Sequence, residues 1–60
     1  MTPRQILAQL EVIELQFEAM RKAAEQAAMP QAVVMGFHWL HEDAGKTLVD
    51  IRAALPKLEG

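Results

Sequence analysis

His38, His41 and Glu42 are the one group of potentially reactive side chains that the sequence brings close together. On a helix they stand at i, i+3 and i+4, so all three could point at one ion, and imidazole nitrogen with carboxylate oxygen is a donor set that zinc accepts. The order H-x-x-H-E is neither the H-E-x-x-H of zinc proteases nor its inverted form, because the glutamate directly follows the second histidine. The plainer reading is a polar flank beside acidic neighbours, with a metal site conceivable if a two-fold copy of the chain completes the ligand set. Gly45-Lys46-Thr47 has the tail of a phosphate-binding loop, but the first glycine of such a loop would fall on Leu40 and no strand precedes it. The chain has no Ser, Cys or Tyr, which reduces the hydroxyl and thiol nucleophiles to Thr2 and Thr47. Neither an enzyme nor a cofactor is expected.

Recognition is the better-supported chemistry. Met35, Trp39 and Lys46 share one side of a helical wheel, off the main apolar stripe, and Trp and Met are frequent anchors of protein-binding surfaces. The competing reading is that Trp39 simply packs at an oligomer interface. The six basic residues (Arg4, Arg21, Lys22, Lys46, Arg52, Lys57) are dispersed among acidic neighbours, and the net charge is −2. That provides no basic field for nucleic acid or anionic lipid.

Two helices must carry these residues. Thr2, Pro3 and Gln5 supply an N-cap, a first helical residue and the reciprocal partner of a capping box. Ile6, Leu10, Ile13, Phe17, Met20, Ala24 and Ala27 then alternate in steps of four and three, the seam of a helix packed along its whole length. Glu18–Lys22 and Arg21–Glu25 are opposite charges four residues apart and mark the solvated side. Pro30 would break a single continuous helix but suits the first position of a second one. The spacing therefore predicts helix 1 over about 3–28, a turn near 29–30, and helix 2 over about 30–55.

Helix 2 carries Val33, Phe37, Leu40, Ala44, Leu48, Ile51 and Leu55. Its Phe-Leu-Ala triplet recurs eleven residues later as Leu48, Ile51 and Leu55, a period that keeps one face aligned along a nearly straight helix. The stripe staying in phase argues against a break at Gly45, although Asp43-Ala44-Gly45-Lys46 has the chemistry of a helix stop. Gly36 and Gly45 inside the helix imply close approach by a partner helix or a ligand. Pro56 is expected to end the helix near Ala54 or Leu55, with Leu58 free to fold back over the hairpin mouth.

Helix 1 carries a second apolar line, Ala8, Val12, Leu15, Ala19 and Ala23, well round from the first. A hairpin covers only one of the two. With 52% hydrophobic residues in a chain of sixty, and no cysteine to staple it, the missing burial is expected from self-association. Val12, Leu15 and Ala19, with Phe17, Phe37 and Leu40, are the expected oligomer contacts. No apolar run is long enough to span a bilayer, and the first residues do not form a signal peptide, so a cytoplasmic location is expected.

In length and plan the chain resembles the small plasmid-encoded helical hairpins that pair into four-helix bundles and regulate RNA pairing. The resemblance is one of architecture and carries no residue or activity across. The reading is an all-α antiparallel two-helix hairpin dimerising into a four-helix bundle. Its expected role is a non-catalytic protein–protein interaction module with itself and another protein as partners. A metal or small-ligand module built on His38, His41 and Glu42 is the first alternative, and an RNA-binding hairpin the second.

Overall fold

The computed structural model describes residues 1–59 and consists of two helices, α1 (Pro3–Gln26) and α2 (Gln31–Glu59), folded into an antiparallel hairpin. It is a rod of 47 × 15 × 12 Å. The start of α1 is as the sequence predicts. The Thr2 hydroxyl accepts from the Gln5 N–H at 3.2 Å, the Gln5 side chain accepts from the Thr2 N–H at 2.8 Å, and Pro3 occupies the first turn.

The turn is built differently from expectation. The helix ends at Gln26, two residues early, because Ala28 adopts a left-handed φ of 55°. The Met29 N–H then reaches back to the Ala24 carbonyl at 3.0 Å and the Ala28 N–H to the Glu25 carbonyl at 3.1 Å. These paired bonds form a Schellman cap, a device that usually places glycine where Ala28 stands. Pro30 lies just outside α2, and its carbonyl receives the Val33 and Val34 N–H groups, so proline opens the helix from the flanking position.

Helix α2 runs without a break through Gly45, as its in-phase stripe predicts. Two further expectations are corrected at the far end, the first being that α2 passes through Pro56 to Glu59 instead of stopping near Leu55. Leu55 is buried against α1, and Glu59 is held by Arg4, so tertiary contacts on both sides of Pro56 outweigh the local cost of the proline. Leu58 does not fold back and stays largely exposed. A Cβ built on either Gly36 or Gly45 meets nothing within 4 Å, so the hairpin's own packing is not what these glycines accommodate.

The seam is also rotated from the one predicted. The residues of α1 that turn inward are Leu7, Leu10, Glu14, Phe17, Arg21 and Ala24, while Ile6, Ile13 and Met20 remain exposed. On α2 the buried residues are Val34, Ala44, Leu48 and Leu55, and Leu40 is exposed. Among the described residues Leu48 alone is fully buried. The expected line and the observed one share Leu10, Phe17 and Ala24, and part at every alternate position.

Candidate functional site: the exposed surfaces of the hairpin

A two-helix layer has two broad faces and two outer edges, and the sequence gives each a different chemistry. One broad face is polar. On it the Arg52 Nη2 lies 3.6 Å from Glu11 Oε1, and His41 Nε2 lies 3.4 Å from Glu14 Oε1 and 3.8 Å from Glu18 Oε2. Within α1, Arg21–Glu25 at 2.7 Å and Lys22–Glu18 at 3.8 Å form as the spacing predicts. The groups are partly exposed, so these pairs contribute more to choosing the face and register than to stability.

The proposed ligand cluster does not assemble within this hairpin. His41 turns to the glutamates of α1, and His38 stacks edge-on against Trp39, with ring centroids 5.2 Å apart at 66°. Glu42 lies exposed next to His41 along a shallow hollow shared with Gly45, Lys46 and Val49. Among the described residues, no three His, Asp or Glu side chains are grouped to hold a metal ion. Glu14, which the sequence reading did not single out, is the carboxylate that meets His41 most closely. Its inward heptad position beside Leu10 and Phe17 was the signal that could have revealed it.

The opposite broad face is apolar. At 100° per residue, Ile6, Ile13 and Met20 lie on the side of the α1 seam away from Glu11 and Glu18, one above another at intervals of seven. They are 46%, 39% and 50% exposed. On α2 the same side carries Leu40, 46% exposed, beside a groove lined by Val33, Gly36, Phe37 and Leu40. The absent side chain of Gly36 opens that groove.

The predicted contact residues fall into separate groups. Val12, Leu15 and Ala19 lie exposed along the outer edge of α1, away from α2, whereas Phe17 and Phe37 are half-buried toward the seam and Leu40 belongs to the apolar face. Met35, Trp39 and Lys46 run along the outer edge of α2, with Met35 half-buried and Trp39 59% exposed. The structure therefore keeps the proposed partner residues together and divides the proposed oligomer residues between two surfaces. Among the described residues no helix is long and apolar enough to cross a membrane. Compared with known proteins, the chain matches no family model, no curated protein and no solved structure.

Proposed function

We propose that this chain is a non-catalytic protein–protein interaction module that works as a homodimeric four-helix bundle and presents Met35, Trp39 and Lys46 to another protein. The observation that carries the reading is the amount of large apolar surface one hairpin leaves in water. Among the described residues eleven large hydrophobic side chains are exposed, whereas only five hydrophobic residues are buried, two of them alanine. Scattered surface leucines are ordinary, but a continuous apolar face on a small water-exposed hairpin marks an interaction site. Trp39 adds an aromatic anchor on an edge that a bundle leaves free.

Sedimentation equilibrium or multi-angle light scattering tests the assembly. A species of twice 6.7 kDa at micromolar concentration is expected, and a 6.7 kDa monomer at those concentrations refutes the reading. For the partner edge, Trp39→Ala should abolish capture of a specific host protein while leaving the dimer intact.

A further inference from the structure

We infer that the face a second copy covers is the apolar broad face centred on Ile13, Met20 and Leu40, and not the Val12–Leu15 edge; this rests on the homodimer reading above. The first support is a mismatch between pattern and packing. The heptad line in α1 runs through Ile6, Ile13 and Met20, yet the hairpin's own inward line runs through Leu7, Glu14 and Arg21. Each of the exposed three precedes an inward position by one residue, so the apolar stripe is turned from the neighbouring helix toward the broad face. Helix α2 shows the same offset, because Val33, Leu40 and Ile51 complete its stripe while Val34 and His41 take the inward side. Both stripes lean toward the same face. That is the geometry of helices whose seam points at the centre of a four-helix bundle, half toward the hairpin partner and half toward a second hairpin.

The second support is area. A globular monomer of 6.7 kDa exposes about 3,900 Å². This hairpin exposes 4433 Å². The excess, about 500 Å² per chain, is surface that a more rounded fold of this mass would bury, and a second copy laid on the apolar face covers surface of that kind. The third support is charge. The other broad face carries Glu11, Glu14, Glu18, His41 and Arg52, already paired across the hairpin, and covering it would strip water from those groups. The Ile13 face sets no such charges against their own copies, as a two-fold contact requires.

The test compares Ile13→Glu and Leu40→Glu with Leu15→Glu by sedimentation, with helicity followed by circular dichroism. The first two should raise the dimer dissociation constant at least 100-fold, and Leu15→Glu should change it less than threefold. If Leu15→Glu dissociates the dimer and Ile13→Glu does not, the Val12–Leu15 edge is the interface and the inference is overturned while the homodimer stands. A monomeric unmutated chain removes both. Should either glutamate variant lose its helicity, isotope-filtered NOE spectra of a mixed labelled and unlabelled native sample decide the matter. Intermolecular contacts to the Ile6, Ile13 and Leu40 methyls support the face, and contacts confined to Val12 and Leu15 refute it.

Discussion

Arg4 and Glu59 close the open end of the hairpin with two parallel contacts, Nε to Oε1 at 2.6 Å and Nη2 to Oε2 at 3.1 Å. The pair joins the first turn of α1 to the last turn of α2, fifty-five positions along the chain. It lies beyond Pro56, where α2 has lost one backbone hydrogen bond, and so holds a helical turn past the point where the sequence predicts the helix to end.

Breaking that pair should have a local and salt-dependent effect. Because the arginine side chain is mostly exposed, Arg4→Ala is expected to cost no more than about 1 kcal/mol. Amide exchange should show residues 57–59 opening faster, with the rest of α2 unchanged. In 1 M salt the difference between Arg4→Ala and the parent should nearly vanish.

Ala28→Gly should stabilise the protein. Alanine at a φ of 55° pays the left-handed penalty, about 1–2 kcal/mol, that glycine avoids. Greater freedom of glycine in the unfolded chain returns about 0.4–1 kcal/mol of that. The net gain of roughly 0.5–1 kcal/mol should raise the Tm by several degrees. Ala28→Val, branched at Cβ, should lower it.

Leu48→Ala removes the one fully buried side chain. A loss of about 2–5 kcal/mol is expected, a large part of what so small a domain holds. Thermal or urea unfolding should show it, and under the proposed pairing the apparent Tm of this variant should also rise with protein concentration.

Zinc gives a further check. With His41 turned to Glu14 and His38 against Trp39, a melt in equimolar zinc should coincide with one in chelator within about a degree. A Tm rise of several degrees that His41→Ala removes would mean that assembly creates the ligand set one hairpin does not form.

The capping box, the two helices, the turn near Pro30 and the continuity of α2 past Gly45 are all legible in the sequence, because each is set by neighbours within one or two turns. The chemistry of the outer edges is legible for the same reason, since helical spacing alone puts Met35, Trp39 and Lys46 in one row. Tertiary structure decided what local spacing leaves open: how far each helix is rotated about its own axis, and which helix ends are held. The rotation the structure shows brings His41 to Glu14 and Arg52 to Glu11, residues far apart in the chain, and leaves Ile6, Ile13 and Met20 exposed. The last turn followed from Leu55 and Glu59 finding α1, a gain that no count of residues around Pro56 contains. Periodicity fixes which residues share a stripe, and only the partner's position fixes where that stripe points.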